Sequence, residues 1–478
     1  MSCFNDILYW RQSLILISMG LHSMGIGFLL SFPAALNAAL LSTNTTDITA
    51  TPDQVSSLTA TFGVSGMAGF IFLPSIMQSR GRKLTHILLN IFVILGFLLT
   101  YLASNMTMLF AGRILQGLSG TGVTLLSIML AEYSHPKLRG RFLAALGLWM
   151  CFGSLICHAL PAFWNWRNIA AIAMLPLFTA LILTFIWPES PSFLAMKRKF
   201  VECDQSHTWL FGDSKESKDI LNALIAAQLE QDSGGSNVYC KNIKDIVTAF
   251  GKGYFLRPLS IVIVLTLVVD VSGRYFILVY LNQMFVEIIG DASIAFYCSL
   301  GVDITMIISS LLFIVIIRMF NRKSILFVTG FCTTILLYVI SLTAHLKFMN
   351  SELVHSAWMM PSLIVLTIFV ANSGIVPVAF IIIGEIFPLE HRGLGGSLGG
   401  MVFTALYSVT MKCLPVLIET LGTQGVFAVC GSCMLVCLVL LKFTLNETKD
   451  KTLQEIEDEF KGVKRAKIIL MSEEVITD

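Results

Sequence analysis

The sequence predicts an all-α membrane protein whose twelve transmembrane helices form two pseudo-symmetric bundles of six. The chain has 478 residues, of which 55% are hydrophobic and 13% are charged, and its mean hydropathy is +0.79. Soluble domains carry about 25% charged residues, so this chain has too few charges to cover a surface that faces water. The other two observations are twelve long apolar runs and a set of short motifs that occurs once in each half of the chain. The composition excludes a soluble globular enzyme.

Each apolar run is long enough to cross a bilayer, which takes about 20 helical residues. Because lipid offers no hydrogen-bond partners to the backbone, runs of this kind are expected to be α-helices. The first six runs lie at 13–41, 56–77, 84–104, 109–131, 142–162 and 168–187. After a polar stretch, the other six lie at 257–286, 294–317, 324–345, 357–383, 394–418 and 423–443.

The positions of these runs divide the chain into four parts. We expect an N-terminal six-helix bundle at 1–190, a cytoplasmic linker with short intracellular helices at 191–256, a C-terminal six-helix bundle at 257–445 and a cytoplasmic tail at 446–478. Basic residues are concentrated in the loops on one side, which predicts that these loops and both termini are cytoplasmic. Asn44, followed by Thr45 and Thr46, is a glycosylation sequon in an outer loop.

Charged residues recur at matching places in the two halves. The pattern Glu-x6-Arg-Gly follows helix four and again helix ten, and an Arg-Lys pair follows helix two and again helix eight. Paired six-helix halves place a substrate site at their interface near the midplane. Ion pairs between the halves can then close the inner gate in one state and break in the other; alternatively, the basic residues only anchor the loops. The candidates for this gating and intracellular charge network are Arg82, Arg113, Glu132, Arg139, Arg322, Glu385 and Arg392.

Helix seven carries two charged residues at a depth near the bilayer centre. Asp270 and Arg274 are four residues apart, which places them on one face of a continuous helix. A charge near the bilayer centre costs roughly 2.5–3.5 kcal/mol on insertion scales unless it is paired or faces a polar cavity. We therefore expect a mutual ion pair lining the cavity, where Arg274 binds a polyol or a charged solute. The alternative is a sealed pair that only orients helix seven.

Other intramembrane residues are candidates for the transport path or for helix breaks. Five further polar residues lie within the apolar runs: His22, His158, Asp303, Asn372 and Lys412. Each can line the transport path; alternatively, it is packed inside the bundle or extends its polar end to the membrane interface. Two prolines, Pro33 and Pro377, are expected to unwind helices beside the cavity and to present carbonyls to a ligand.

Several short motifs in order resemble the sugar porters of the major facilitator superfamily, and within them the insect facilitated trehalose transporters most closely. The resemblance extends from about Gly25 to Glu457. The motifs are Gly112-Arg113, Glu132 to Gly140, Pro188-Glu189-Ser190-Pro191, Arg257-Pro258-Leu259, Gly384 to Gly393 and Glu447-Thr448-Lys449. The resemblance implies a plasma-membrane protein that moves a small sugar, trehalose or a hexose, by alternating access.

The substrate motifs of that family are only partly retained. Helix seven keeps Ser272, Gly273 and Tyr280 but lacks the usual glutamines and asparagine, and Phe380 stands at the usual tryptophan of helix ten. The resulting candidates for the substrate cavity are Asp270, Arg274, Tyr275, Ser272, Tyr280, Asn372, Phe380 and His22.

The resemblance also bears on energy coupling. Proton-coupled sugar porters are similar to one another in pairing an acid of helix one with the arginine that opens helix four, which here is Arg113. No Asp or Glu occurs in 13–41, which favours facilitated diffusion unless Asp270 or Asp303 has taken that role. Two alternatives stay open: a transporter of another, charged organic solute on the same scaffold, and a non-transporting sensor. We expect membrane lipid and a small-molecule sugar as partners, and no nucleic acid, metal or cofactor.

Overall fold

The structure, a computed structural model, describes residues 2–41, 48–134, 136–215, 217–219, 221–222, 224–226, 253–349, 358–386, 392–447 and 449. Among these residues the chain is helical and contains no strand. Asn44 and most of the predicted linker and tail lie outside the described residues.

The N-terminal half consists of seven helices and two single 3₁₀ turns. A 3₁₀ turn at Ser119–Thr121 joins two of the helices end to end, so that one membrane-length segment runs from Met106 to Tyr133. The helices are α1 Ser2–Leu41, α2 Pro52–Arg80, α3 Arg82–Tyr101, α4 Met106–Leu118, α5 Gly122–Tyr133, α6 Pro136–Ala159 and α7 Trp166–Ile186.

Two short helices, α8 Pro191–Met196 and α9 Phe200–Phe211, follow the N-terminal half. Ser190 begins α8 by accepting a hydrogen bond from the backbone of Phe193. Arg11 and Gln12 of α1 donate to backbone carbonyls of α9, so α9 is fixed against the first turns of α1.

The C-terminal half contains the remaining helices. They are α10 Gly253–Val271, α11 Arg274–Ile289, α12 Ala292–Met319, α13 Arg322–Phe348, α14 Met359–Val370, α15 Val376–Glu385 and α16 Arg392–Thr444, with a π turn at Ala371–Ile375 between α14 and α15. Gly422 interrupts α16 with non-helical angles, φ 69° and ψ 168°. Since positive φ is accessible to glycine at little cost, this residue separates two consecutive membrane crossings within α16.

Eleven segments among the described residues are long and apolar enough to cross a membrane, and the eleventh, Gly395–Thr444, has 50 residues. Because Gly422 divides that segment into two crossings, the described helices provide the twelve crossings that the sequence predicts. The chain is therefore a multi-pass membrane protein.

The two halves pack along three helix pairs: α1 against α11, α2 against α16, and α6 against α12. The α2–α16 contact is very close, since a Cβ on Gly63 would lie 2.4 Å from the carbonyl oxygen of Thr404. Small residues allow such backbone approach between membrane helices. We call the two ends of the molecule the Arg82 end, where Arg82 and Arg322 begin their helices, and the Asp53 end, where Asp53 lies at the start of α2.

Candidate functional site

The polar centre of the molecule begins at a break between α10 and α11. Gly273 has φ 89° and ψ −15°, a left-handed conformation that ends α10 at Val271 and starts a new helix at Arg274. The hydroxyl of Ser272 donates to the carbonyl of Val269 at 2.7 Å, which satisfies one of the last carbonyls of α10. Asp270 and Arg274 therefore lie on two different helices, and the expectation that they share one face of a continuous helix is wrong.

Asp270 points toward α16 and not toward Arg274. Its Oδ2 accepts a short hydrogen bond from the hydroxyl of Thr410, while its Oδ1 is buried without a hydrogen-bond partner. No salt bridge joins Asp270 to Arg274 among the described residues. The predicted ion pair does not form in this structure, because the left-handed turn at Gly273 separates the two side chains.

Arg274 lies at the interface between the two halves. It is 7% exposed, and its guanidinium carbon lies 5.6 Å from the ring centre of Tyr275. Residues of α1, α6 and α12 surround it, and together they line a cavity of about 10 Å³, which is about the space that one water molecule needs. The two halves are thus closed around Arg274. The residues of the opposite half that line this cavity include Gly27, Ser31, Met150, Cys151 and Ser154.

Aromatic rings connect this centre to both halves. Tyr275 contacts Phe403 at 5.3 Å between ring centroids, and Phe403 contacts Phe380 at 5.5 Å. On the other side, Tyr275 lies 6.4 Å from Tyr407, and Tyr407 lies 5.7 Å from Phe62 of the N-terminal half. The structure therefore brings two predicted cavity residues, Tyr275 and Phe380, into one cluster.

Tyr407 is a central residue that the sequence analysis did not select. Its hydroxyl is buried without a hydrogen-bond partner and lies within electrostatic range of Arg113 and Asp270. The signal in the sequence was the spacing of Thr404, Tyr407 and Ser408, which places three hydroxyl groups on one face of a helix.

A second polar cluster crosses the interface between α6 and α12. The carboxylate of Asp303 accepts hydrogen bonds from His158 Nδ1 and from Ser154 Oγ, both at 2.7 Å. Ser154 is also 2.6 Å from the hydroxyl of Ser31 in α1. His158 and Asp303, which the sequence marked only as isolated polar residues, are therefore partners in one buried cluster that joins the halves.

Three other predicted cavity residues use their polar groups in bonds within the C-terminal half. The hydroxyl of Tyr280 donates to the carbonyl of Met411 at 3.4 Å. The hydroxyl of Ser272 donates to the carbonyl of Val269. Asn372, in the π turn, donates its amide to the carbonyl of Met306 and to the hydroxyls of Ser309 and Ser310. These bonds fix the helices of the C-terminal half against one another.

His22 lies inside the N-terminal half, where it does not line the cavity around Arg274. Its ring is 5.3 Å from that of His86 on α3, and a Cβ on Gly122 would lie 3.2 Å from its Nε2. Neither ring nitrogen of His22 has a hydrogen-bond partner among the residues that the structure describes.

Pro33 does not break α1, because the helix continues through it from Ser2 to Leu41. A proline removes the hydrogen bond to the carbonyl four residues earlier, which here belongs to Leu29. Arg113 Nη1 donates to that carbonyl at 3.4 Å and to Gln116 Oε1 at 2.9 Å. The expected unwinding at Pro33 is therefore wrong, since an arginine from α4 takes up the free carbonyl. At Pro377 the helix does change, because the π turn ends two residues before it.

Charged residues at the Arg82 end pair within the N-terminal half. Arg82 binds Glu132 through two parallel bonds of 2.8 and 2.7 Å, and Ser190 donates to the same carboxylate at 2.6 Å. Glu189 accepts the backbone N–H groups of Arg82 and Lys83 at the start of α3. Arg113 lies near the opposite end of the α4–α5 segment, so it is not part of this cluster.

The C-terminal half also has a glutamate that binds the backbone at the start of a helix. Glu447 accepts the backbone N–H groups of Arg322 and Lys323, at 3.1 and 3.0 Å, at the start of α13. The side chains of Arg139, Glu385 and Arg392 lie outside the described residues. The predicted ion pairs between the halves at this end therefore stay a prediction, while the bonds of Glu132 with Arg82 and of Glu447 with the start of α13 lie inside one half.

A salt bridge joins the two halves at the Asp53 end, away from the polar centre. Lys412 of α16 binds the carboxylate of Asp53 and donates to the hydroxyl of Ser57 at 2.7 Å, both on α2. This contact closes the Asp53 end of the interface.

Comparisons with known proteins agree with this architecture. The family model described as "Sugar (and other) transporter" matches residues 12–460. "Facilitated trehalose transporter Tret1" of Drosophila yakuba is 25% identical over 460 residues, covering 96% of this chain and 53% of that protein. "Trehalose transporter 1" of Drosophila melanogaster is 26% identical, with the same two shares. The chain spans about half the length of the curated relatives it matches.

Solved structures show the same fold. The proton:xylose symporter XylE bound to 6-bromo-6-deoxy-D-glucose has a TM-score of 0.74 and 16% identity, covering 95% of this chain and 99% of that one. The inward open conformation of the xylose transporter XylE from E. coli has a TM-score of 0.72 and 15% identity, with the same coverage.

Proposed function

Because the chain belongs to the sugar (and other) transporter family, we propose that it carries a small sugar, trehalose or a hexose, across the membrane by alternating access. The observation that carries this proposal is the polar centre around Arg274, to which α1 and α6 of one half and α11 and α12 of the other all contribute. A site shared by two six-helix halves is exposed to one side or the other when the halves rock. The relatives named for trehalose transport support the choice of sugar.

Transport requires the Asp53 end to open and close. In the closed arrangement, Lys412 binds Asp53, and Gly63 lies against Ser408. When the halves separate at this end, the lysine pair breaks and the small residues of α2 slide away from α16. The Arg82–Glu132 and Glu447 bonds lie within one half, so each half keeps its own geometry while it moves as a rigid body.

Facilitated diffusion is the mode that the charges favour. The membrane-spanning part of α1, Tyr9–Leu41, contains no Asp or Glu. Arg113 instead binds a backbone carbonyl and the amide oxygen of Gln116. A proton carrier of the kind that sugar porters place beside this arginine is thus not found among the described residues, which supports transport without proton coupling.

We further propose the location and orientation. In this proposal the Arg82 end, both termini and the linker at 191–256 are cytoplasmic and the protein lies in the plasma membrane; the concentration of basic residues at the Arg82 end supports this orientation. The bundles then extend over 1–190 and 257–445, with a cytoplasmic tail at 446–478 and Asn44 as a glycosylation site outside.

Uptake of labelled trehalose and glucose into cells that express the protein tests this proposal, with and without an inward pH gradient. Saturable uptake that does not respond to the gradient is expected. Uptake that rises with the gradient would contradict facilitated diffusion and would point to Asp270 or Asp303 as the proton site. Binding of sugar without flux, with the protein confirmed at the surface, would contradict transport and favour a sensor.

A further inference from the structure

The guanidinium of Arg274 is a buried positive charge that no carboxylate of the described residues contacts. It forms no hydrogen bond and no ion pair with any described residue, and its Nε is fully enclosed. Its guanidinium carbon lies 5.6 Å from the centre of the Tyr275 ring, and the thiol of Cys151 is within electrostatic range of it. Buried charges in proteins are otherwise paired or bound to a ligand, so this arrangement calls for an anion that is not part of the chain.

The two acids of the membrane region that are closest to the centre are engaged elsewhere. Asp270 is turned to α16 and holds Thr410. Asp303, three residues before the cavity-lining Met306, is bound by Ser154 and His158. Neither carboxylate is therefore available to Arg274 in this arrangement.

A second arginine adds positive charge to the same region. Arg113 is 2% exposed, its Nη2 has no hydrogen-bond partner among the described residues, and its guanidinium lies over the ring of Phe62 at 5.4 Å. Its Nη1 binds the carbonyl of Leu29, and the next two residues of α1, Leu30 and Ser31, line the cavity beside Arg274. Two arginines thus flank one short segment of α1.

Hydroxyl groups lie beside Arg274 in the same cavity. Ser31 and Ser154 are 2.6 Å apart, and both line it together with Arg274. A hydroxyl both donates and accepts, so this pair can rearrange to bind the hydroxyl groups of a solute. The guanidinium of Arg274 can bind a carboxylate through two parallel hydrogen bonds. The two serine hydroxyls beside it can bind a polyol.

We propose that this central site selects a hydroxylated monocarboxylate, a sugar acid such as a hexuronate, whose carboxylate binds Arg274 and whose hydroxyls bind Ser31 and Ser154. This inference rests on the proposed function, since it takes the solute to be sugar-like and the site to be the transport site. It differs from that proposal in the charge of the preferred solute. A single carboxylate suits the site, because one guanidinium fork pairs with one carboxylate in two parallel bonds.

The binding test uses the full-length protein purified in detergent, with glucuronate and glucose as probes. Glucuronate is expected to raise the melting temperature in a concentration-dependent way, and to do so at lower concentration than glucose. Arg274→Gln removes the charge and retains a polar side chain, and is expected to weaken glucuronate binding about tenfold or more, as for the loss of a charge-assisted pair. Arg274→Lys is expected to recover part of that loss.

Arg141→Gln is the matched control, because Arg141 is an exposed arginine of α6 that lies outside the cavity. It is expected to bind glucuronate as the unaltered protein does. Equal or stronger stabilisation by glucose, or unchanged glucuronate binding by Arg274→Gln, would overturn the inference. The effect of each substitution on folding is read from the melting temperature without solute.

Uptake of the two labelled solutes separates this inference from the proposed function. Uptake of glucuronate that Arg274→Gln abolishes supports both the site and transport. Uptake of glucose that glucuronate does not inhibit overturns the sugar-acid site and leaves sugar transport supported. Glucuronate binding without any flux supports the site and overturns transport.

Discussion

His158 on α6 and Asp303 on α12 face each other across the boundary of the two halves, with His158 Nδ1 2.7 Å from Asp303 Oδ2. Asp303 has no exposed surface, and His158 is 7% exposed. Ser154 donates to the second carboxylate oxygen, so both oxygens of this buried acid are bound by the opposite half. When the halves rock, these two hydrogen bonds must therefore either stay formed or be replaced by bonds to other partners.

Removing Asp303 is expected to destabilise the protein strongly. In Asp303→Ala, His158 and Ser154 lose a shared buried acceptor, and each buried polar group left without its hydrogen-bond partner costs about 1–3 kcal/mol. Thermal unfolding in detergent measures the change. Asp291→Ala is the control, since that acid caps α12 at an exposed position and is expected to lose about 1 kcal/mol.

The double variant His158→Ala with Asp303→Ala gives the coupling between the two side chains. It is expected to lose clearly less stability than the sum of the two single variants, because neither residue is then left as an unpaired buried group. Strictly additive losses would show that the 2.7 Å contact carries no interaction energy.

Lys412 and Asp53 are expected to act as a weak latch at the Asp53 end. Lys412 is 41% exposed at its side chain and Asp53 is 80% exposed, so the pair is worth about 1 kcal/mol or less. Lys412→Asp is expected to make Cys151, which lines the central cavity, react faster with a maleimide, by about fivefold at most. Site-resolved mass spectrometry of the purified protein measures this rate.

The reversed pair, Lys412→Asp with Asp53→Lys, is expected to restore slow labelling of Cys151, because it re-forms the contact with opposite polarity. Lys199→Asp, at an exposed pair far from this interface, is expected to change nothing. Fast labelling in the reversed pair would rule out the latch.

Gly63 is expected to be needed for closure of the α2–α16 contact. A Cβ there would lie 2.3 Å from Ser408 Oγ and 2.4 Å from the carbonyl oxygen of Thr404, which is too short for any side chain. Gly63→Leu is therefore expected to abolish uptake and to leave the Asp53 end open, as seen in faster labelling of Cys151.

Gly301→Leu is the matched control, since a Cβ on this helical glycine of α12 would meet nothing within 4 Å and its face neighbours Ile304 and Ile308 are exposed. This variant is expected to keep most of the uptake. If both leucine variants were equally active, the close approach of α2 and α16 would not be required for transport.

His207 on α9, outside the membrane-spanning segments, is expected to make the stability of α9 depend on pH. Burial lowers the pKa of His207 from its ordinary value of 6.5, and its Nε2 interacts with the carbonyl of Ser217 at 2.9 Å. The hydrogen bond to Ser217 and the charge of Asp204, on the same helix, oppose that shift of the pKa but are smaller than the effect of burial. The unfolded state thus binds a proton at a higher pH than the folded state does, so stability is greatest above pH 6.5 and falls as the pH decreases through the lowered pKa. Hydrogen exchange of residues 200–211 measures this loss.

His207→Gln is expected to remove most of this pH dependence, because glutamine does not titrate. Equal acid sensitivity of α9 in the variant and in the unaltered protein would exclude His207 as its cause.

The twelve membrane crossings could be predicted from the sequence because the signal is strong and local. Each run of about 20 apolar residues can only be helical in lipid, and even the crossings that share α16 were separated correctly near Gly422. The duplicated motifs also placed Arg82 and Glu132 together, since both follow helices that end on the same side.

The details of the site could not be predicted from local pattern alone. A serine and a glycine inside an apolar run do not reveal a left-handed turn, so the break at Gly273 and the separation of Asp270 from Arg274 were missed. The continuity of α1 at Pro33 depends on Arg113, which is distant in sequence. The His158–Asp303 pair likewise depends on how the two halves dock.

Counterflow in proteoliposomes that contain the purified protein tests the central claim most directly. Vesicles loaded with unlabelled trehalose or glucose are diluted into a trace of the labelled sugar, without any ion gradient. An alternating-access facilitator is expected to accumulate the label transiently, because the unlabelled sugar that leaves returns the site to face the outside. Equilibration with no such overshoot, at a rate independent of the sugar inside, would contradict the account.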